Sequence, residues 1–190
     1  MKIDEIISGH LSEHLSAVEK LGAQKSLIAD MARRLITSLE SGGKALFFGN
    51  GGSAADAQHL AAELVVRYRR NRRALPAISL STDTSILTAG ANDFGFESIF
   101  SRQIEALAGK GDVAIGISTS GTSANVISGL EAAKKAGCVV MVFTGQDENP
   151  CSLLADIAFH APSSITARIQ ECHLLVGHIL CDLVEEAFVS

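Results

Sequence analysis

The first forty residues repeat apolar positions every three or four residues, which is the period of an amphipathic helix. The repeat runs through residues 3–21 and again through residues 24–40, and Ser41-Gly42-Gly43 then gives a stop signal. Two helices are therefore predicted ahead of the first strand, where they cover a sheet or bury a face against another subunit. Their apolar positions are Ile3, Ile6, Ile7, Leu11, Leu15, Val18 and Leu21, then Leu27, Ile28, Met31, Leu35, Ile36 and Leu39.

From residue 45 onward, short apolar runs alternate with helical patterns. This alternation is typical of parallel strands joined by crossover helices, and strands that are apolar on both faces are covered on both sides. We predict an α/β fold: a doubly wound three-layer sandwich with a mainly parallel five-stranded sheet, two N-terminal helices within residues 1–41 and a long C-terminal helix, forming one domain over residues 1–190. The predicted strands are 45–48, 77–80, 113–117, 139–143 and 157–160, and the predicted helices are 54–67, 84–91, 96–108, 123–136 and 164–188.

The amino-acid composition argues against two classes of binding partner, nucleic acids and membranes. The net charge of −5, the absence of Trp and the single Tyr argue against a nucleic-acid binder. No run of about 18 apolar residues predicts a membrane span, and the acidic start differs from a signal peptide, so we expect a cytoplasmic protein without a membrane partner. Four scattered cysteines are interpreted as small buried apolar residues rather than metal ligands or disulfides. They are Cys138, Cys151, Cys172 and Cys181.

The sequence Ser118-Thr119-Ser120-Gly121-Thr122-Ser123 lies between a predicted strand and a predicted helix. Its five hydroxyls can donate hydrogen bonds to anionic oxygens, and the start of the helix adds free amide groups and a positive dipole end. A plain helix cap needs only one Ser or Thr, so we predict a phosphate site. A second junction, Gly49-Asn50-Gly51-Gly52-Ser53, matches no nucleotide-binding signature and is interpreted as a contact for sugar hydroxyls or phosphate.

Two pairs of polar residues share helix faces. His59 and Glu63 are four residues apart on one predicted helix, and Gln170 and His178 are eight apart on the last helix. Together they offer two imidazoles, a carboxylate and an amide oxygen, a set that can hold a divalent ion such as zinc. A His–Glu pair at this spacing is by itself more often a surface hydrogen bond. His10 and His14 have the same spacing and receive no function.

Two further polar segments allow two interpretations each. Five Arg within residues 67–73 can attract an anion, although a solvated loop or subunit contact is the favoured interpretation. Asn92 and Asp93 lie in a predicted turn between two helices and are either a simple turn signal or contacts for sugar hydroxyls.

In combination, these residues resemble the bacterial phosphoheptose isomerases of the sugar isomerase domain superfamily, over nearly the whole chain. The segments that carry the resemblance are Gly49-Asn50-Gly51-Gly52-Ser53, Asp56-Ala57-Gln58-His59, Arg67-Tyr68-Arg69, Asn92-Asp93-Phe94-Gly95-Phe96, Gly116-Ile117-Ser118-Thr119-Ser120-Gly121 and Ala167-Arg168-Ile169-Gln170-Glu171. The resemblance implies conversion of sedoheptulose 7-phosphate to D-glycero-D-manno-heptose 7-phosphate, for surface polysaccharide, by a homotetramer with active sites between subunits.

The resemblance also implies roles for individual residues. One zinc ion per subunit is implied at His59, Glu63, Gln170 and His178. Proton transfer between C1 and C2 through an enediol needs a base and an acid, and we expect Glu63 as the catalytic base and His178 as the catalytic acid. Which of the two has which role stays open. Implied or predicted substrate contacts are Asn50, Gly51, Gly52, Ser53, Glu63, Asn92, Asp93, Ser118, Thr119, Ser120, Ser123 and Gln170. A different class stays open, because a relative with similar loops binds the bacterial replication initiator without catalysis. That relative lacks the carboxylate at the position of Glu63, which favours the enzyme.

Overall fold

The computed structural model describes residues 2–189 and contains a five-stranded sheet. Its strands are β1 (Ala45–Gly49), β2 (Ala77–Ser79), β3 (Val113–Ser118), β4 (Val139–Thr144) and β5 (Ile157–His160), and they lie in the order β2-β1-β3-β4-β5. All four neighbouring pairs are parallel, which confirms the predicted α/β class. This order places β1 and β3 side by side although β2 separates them in the chain, so the sheet has a switch point between them.

Helices cover both faces of this sheet. Alternate residues of β1 point to opposite sides, so Phe47 packs with the helices at residues 25–40, 52–65 and 166–188. Phe48 packs with the helices at residues 101–107, 124–135 and 150–154. The two apolar clusters make the three-layer sandwich that the sequence predicted. The helices are α1 (Ile3–Leu21), α2 (Lys25–Glu40), α3 (Gly52–Val65), α4 (Thr84–Phe94), α5 (Ser101–Leu107), α6 (Ala124–Lys135), α7 (Pro150–Leu154) and α8 (Thr166–Phe188), with 3-10 turns at Gly22–Gln24 and Phe96–Ser98.

Three sequence predictions about the helices need correction. Helix α4 continues to Phe94 and ends at Gly95, whose φ of +88° suits glycine, so Asn92 and Asp93 lie in a helical turn rather than between helices. The predicted helix 96–108 is instead a 3-10 turn followed by α5. Helix α7 was not predicted because five residues are too few to show a period. It begins with a capping box at Asn149 and Ser152.

Helix α1 is attached to the rest of the molecule mainly through α8. The Arg168 guanidinium, whose side chain is 8% exposed, contacts the Glu13 carboxylate at 3.2 Å and donates to the carbonyl of His10 at 3.1 Å. The outer apolar residues of α1 remain between 52% and 62% exposed; these are Ile3, Ile6, Ile7, Leu11 and Leu15. Among residues 2–189, no helix is both long and apolar enough to cross a membrane.

Candidate active site at the switch point

The two polar loops found in the sequence leave the sheet at its switch point. Gly49 of β1 is paired with Ile117 of β3, and the chain then turns to α3 on one face and to α6 on the other. In open parallel sheets this crevice, at the carboxyl ends of the strands, is where ligands bind. Neither helix has a side-chain cap at this end, so no capping side chain accepts a hydrogen bond from its first backbone amides.

The hydroxyl loop after β3 is a compact turn. The Gly121 amide donates to Ser118 Oγ at 3.1 Å, and the hydroxyls of Ser118 and Ser123 lie 3.2 Å apart. Gly121 has a φ of +66°, and Asn149 packs where a Cβ would stand, so only glycine fits this turn. Ser120 is exposed and accepts from the Thr122 hydroxyl at 3.0 Å. The loop thus presents several hydroxyls beside the start of α6, as an anion site requires.

The loop after β1 is tied to the hydroxyl loop by two amides. Asn50 and Asn125 exchange a pair of hydrogen bonds, each 2.8 Å long, across the switch point. Gly51 has a φ of +55°, and a Cβ on Gly52 would lie 2.5 Å from the amide nitrogen of Gln170. Glycine at position 52 therefore allows α8 to approach the start of α3. Ser53 is buried in the first turn of α3.

Further along α3, His59 and Glu63 meet His178 of α8. The Nε2 atoms of the two histidines are 2.8 Å apart, and His59 Nε2 is 3.4 Å from Glu63 Oε1. The helices come this close because Gly177 faces Leu60, where an added Cβ would lie 2.6 Å from a Leu60 methyl carbon. The three side chains form a group of possible metal ligands within 4.8 Å of one another. We call them the His–Glu–His cluster.

The chemistry of this cluster suits a divalent ion. The two Nε2 atoms are 2.8 Å apart, so one of them carries a proton and donates it to the lone pair of the other. Burial lowers the pKa of His178 and the neighbouring His59 lowers it further, while Glu63 opposes them. Neutral imidazoles and a carboxylate are the donors that zinc prefers in catalytic sites. The residues present therefore fit the ion that the sequence suggested.

The remaining predicted site residues lie apart from this cluster. Gln170 contacts Gly52, and a helix rise of about 1.5 Å per residue puts it about 12 Å along α8 from His178. Asn92 and Asp93 are exposed on the last turn of α4, and within residues 2–189 their one side-chain hydrogen bond joins them to each other. The metal role of Gln170 and the substrate roles of Asn92 and Asp93 stay predictions.

Comparison with known proteins agrees with this geometry. The SIS domain family matches residues 10–145. The phosphoheptose isomerase of Paramagnetospirillum magneticum is 54% identical over 186 residues, covering 97% of both chains. The chain belongs to the phosphoheptose isomerase family. Solved phosphoheptose isomerases superpose closely: that of Neisseria gonorrhoeae is 40% identical with a TM-score of 0.91, covering 97% of this chain and 99% of its own, and that of Francisella tularensis is 35% identical with a TM-score of 0.92, covering 98% and 99%.

Membership of the phosphoheptose isomerase family makes this chain an isomerase. It therefore decides against the class of non-catalytic relative that binds the replication initiator. The structure adds that Glu63, the carboxylate on which the sequence argument for an enzyme depends, lies inside the His–Glu–His cluster. The discriminating residue is thus within reach of both histidines rather than on an unrelated surface.

Residues near the site that sequence reasoning missed include Tyr68, Asn125, Arg72 and Glu185. The Tyr68 ring stacks on His178, with centroids 5.4 Å apart. Arg72 is inside the molecule, beside Glu185, so the interpretation of residues 67–73 as a solvated loop or subunit contact is wrong for it. The sequence contains one indication of this ion pair. Glu185 is seven residues after His178, so it lies on the same helix face, where the other residues of the pattern are apolar.

Proposed function

We propose that this phosphoheptose isomerase converts sedoheptulose 7-phosphate to D-glycero-D-manno-heptose 7-phosphate. The observation that carries the proposal is that one helix, α3, links the switch-point loops to the His–Glu–His cluster. His59 is about 10 Å along α3 from Gly52, so a ligand that reaches both ends must be long. A seven-carbon sugar with a terminal phosphate has this shape, with the phosphate at the hydroxyl loop and C1–C2 at the cluster.

The reaction moves a proton from C1 to C2 of the ketose through an enediol, while the O1 hydroxyl loses a proton and the C2 carbonyl oxygen gains one. A base must take the C1 proton and an acid must serve the C2 carbonyl oxygen. We assign Glu63 as the base and His178 as the acid. Ser118, Thr119, Ser120 and Ser123 bind the phosphate, and the loop from Asn50 to Ser53 contacts sugar hydroxyls, with Asn92, Asp93 and Gln170 as further contacts.

We further propose one zinc ion per subunit, held by His59, Glu63 and His178, with Gln170 as a fourth ligand. Bound there, zinc would polarise the substrate carbonyl as a Lewis acid. Coordination makes a carboxylate less basic, so the assignment of Glu63 as base and His178 as acid is tested separately from the ligand set. Within one chain, the amide of Gln170 contacts Gly52 and lies about 12 Å along α8 from His178, so this fourth contact requires more than a turn of the side chain.

A homotetramer with active sites between subunits accounts for two surface features. The apolar stripe of α1 is too exposed for an isolated chain, and a second subunit is the occupant that we propose. Asn92 and Asp93 are exposed and distant in sequence from the cluster, as expected of residues that face a neighbour's site. We propose that the enzyme works in the cytoplasm and supplies heptose for surface polysaccharide.

The test follows purified protein with sedoheptulose 7-phosphate by NMR, before and after dialysis against a chelator and again with zinc restored. We expect heptose 7-phosphate to appear, to decline after chelation and to recover with zinc. Absence of turnover with zinc present would rule out this substrate. Turnover that survives complete metal removal, checked by elemental analysis, would rule out the zinc proposal alone.

The phosphate assignment is tested with Ser120→Ala. This exposed hydroxyl supports the loop only through Thr122, so its loss should leave folding unchanged. We expect weaker binding of the phosphorylated sugar, by about 1 kcal/mol for one hydrogen bond. Binding of the same sugar without phosphate should be equal in variant and wild type, and a loss for both sugars would contradict the assignment.

A further inference from the structure

A buried carboxylate lies behind the His–Glu–His cluster and takes no part in the proposed chemistry. Glu185 of α8 is fully buried. Its two oxygens accept three consecutive backbone amides: Tyr68 at 2.9 Å, Arg69 at 2.7 Å and Arg70 at 2.7 Å. Three amides that converge on one carboxylate fix the backbone of the segment that follows α3, which has no secondary structure to hold it.

Arg72 reinforces the same segment from inside. Its Nε lies 3.6 Å from Glu185 Oε1, and neither side chain has any exposed surface. The other end of its guanidinium donates to the backbone carbonyl of Glu63 at 2.8 Å and to that of Val66 at 3.3 Å. The ion pair therefore connects Glu185 to the last turn of α3, where the cluster carboxylate is attached.

The segment that Glu185 holds includes the residue that covers His178. The Tyr68 and His178 rings are 5.4 Å apart between centroids and inclined by only 28°, a stacked arrangement. Glu185 is two turns after His178 on the same face of α8. Its carboxylate thus anchors a short bridge that returns from α3 and places an aromatic ring on the catalytic imidazole.

The stability of the fold alone does not explain why a charged residue is buried at position 185. Desolvation of a buried carboxylate costs several kcal/mol, and well-packed apolar residues often replace buried ion pairs without loss. Burial opposes ionisation of Glu185 most strongly, yet the amides of Arg70, Arg69 and Tyr68, together with Arg72, lower its pKa below the ordinary value. The ionised form is the one that accepts all three amides, so the charge defines the conformation of this segment.

We propose that Glu185 is a positioning residue for the isomerisation: it orients His178 through Tyr68 and Glu63 through Arg72. The inference rests on the catalytic roles proposed above for Glu63 and His178. Its effect should therefore appear in turnover more than in substrate affinity, because neither Glu185 nor Tyr68 belongs to the loops assigned to the substrate.

The central variant is Glu185→Gln, which keeps the shape but turns a donor toward backbone amides that need acceptors. Its matched control is Asp112→Asn, which directly precedes β3. Asp112 is also a buried carboxylate, and it accepts the amides of Lys44 and Gly109 and pairs with the Lys44 ammonium at 2.6 Å. Both variants replace a carboxylate by its amide, but only the first is connected to His178.

The single tyrosine gives a readout that is independent of activity. The chain contains no Trp and one Tyr, so its tyrosine fluorescence reports on Tyr68 alone. In Glu185→Gln we expect greater quenching of this fluorescence by acrylamide. We also expect kcat to fall by about 10- to 100-fold with KM little changed, because a small misplacement of catalytic groups lowers the rate of the chemical step. Asp112→Asn should change neither property in the folded fraction.

A second pair of variants follows the path through Tyr68. Tyr68→Leu should lower kcat as Glu185→Gln does, whereas Tyr68→Phe, which keeps the ring, should retain most of it. The double variant Glu185→Gln/Tyr68→Leu should lose less than the product of the two single losses, since both remove the same contact. Full multiplication of the two losses would contradict the path.

Equal behaviour of Glu185→Gln and Asp112→Asn, in fluorescence and in kcat, would overturn the proposal. If Glu185→Gln does not fold, Glu185→Asp keeps the charge with a shorter reach and is judged by the same two measurements against Asp112→Asn. A wild-type protein without isomerase activity would instead refute the proposed function, while the fluorescence comparison would still report whether Glu185 holds Tyr68.

Discussion

Helix α8 carries two histidines in opposite environments. His173 has no exposed surface, lies beside the rings of Phe143 and Phe159, and donates from Nε2 to the Thr144 carbonyl at 3.0 Å. His178 faces α3, is half-buried, and lies 2.8 Å from a nitrogen of His59. They are five positions apart in the sequence, so the two side chains point to different sides of the helix.

The comparison shows that the face of the helix decides what a histidine can do. On the sheet side, burial lowers the pKa of His173 to about 4, so the ring stays neutral with its proton held by a carbonyl. On the α3 side, His178 has a second imidazole and a carboxylate within reach and can exchange a proton or bind a metal. The same residue type is part of the core in one place and part of the site in the other.

The largest effect is expected from replacing the two histidines in parallel. His178→Gln should lower kcat by about 10²- to 10⁴-fold, the usual contribution of a general acid or base. His173→Gln keeps a donor for the Thr144 carbonyl and should retain most of the activity. Steady-state kinetics on both variants, with zinc content measured, checks the contrast. Similar losses in the two would mean that the face of α8 does not separate core from site.

Replacing the cluster carboxylate tests the base assignment on the same side. Glu63→Gln leaves the size of the side chain unchanged, so folding should persist, while the loss of basicity should remove nearly all turnover. Exchange of the C1 proton with solvent deuterium, followed by NMR, should disappear with it. A variant that turns over at near the wild-type rate would show that another group takes the proton.

Much of this contrast could be predicted from the sequence. Strand–loop–helix alternation is a local pattern, and it correctly put Ser118–Ser123 and the Gly49–Ser53 loop at the carboxyl ends of strands. The spacing of His59 and Glu63 likewise follows from the helix period alone. These predictions succeeded because the information lies within one or two turns of chain.

The meeting of α3 with α8 could not be predicted in the same way. It depends on Leu60 packing against the bare backbone of Gly177, more than a hundred residues later. The burial of Arg72 also depends on a distant acid, Glu185, and in the sequence this arginine is indistinguishable from its exposed neighbours. The packing of α3 against α8 determines that His178 lies beside His59 and Glu63. The local sequence pattern shows only which residues could belong to such a cluster.

A smaller effect is expected from changing how closely α3 and α8 approach. Gly177→Ala adds a Cβ 2.6 Å from Leu60, and we expect overpacking to cost about 1–3 kcal/mol, partly offset by roughly 1 kcal/mol of better helix propensity. Separating the helices moves His178 from His59, so zinc affinity and kcat should fall, the latter by about 10-fold or more. Isothermal titration with zinc and steady-state kinetics measure both.

The control for this variant lies in the other layer of the sandwich. Gly129→Ala, on α6, adds a Cβ 2.8 Å from the Phe48 ring and should destabilise the fold by a comparable amount. It is not connected to either histidine of α8, so zinc affinity and kcat should stay near wild type. If Gly129→Ala weakens zinc binding as much as Gly177→Ala does, general loosening of the fold explains the result, and the close approach of the helices is not what forms the cluster.

The smallest effect on the site is expected from the titration of His173, which should change stability and leave activity alone. Its pKa is about 4 in the folded protein and 6.5 as the ordinary value, so between these values the unfolded chain binds a proton that the folded chain does not. Stability is therefore full above pH 6.5 and declines as pH falls towards 4, by about 3 kcal/mol across the window. His173→Gln cannot titrate, so the difference in unfolding free energy between wild type and variant, measured by urea denaturation, should shrink as the pH is lowered. A difference that is constant with pH would show that His173 is not held neutral, and the contrast between the two faces of α8 would lose its physical basis.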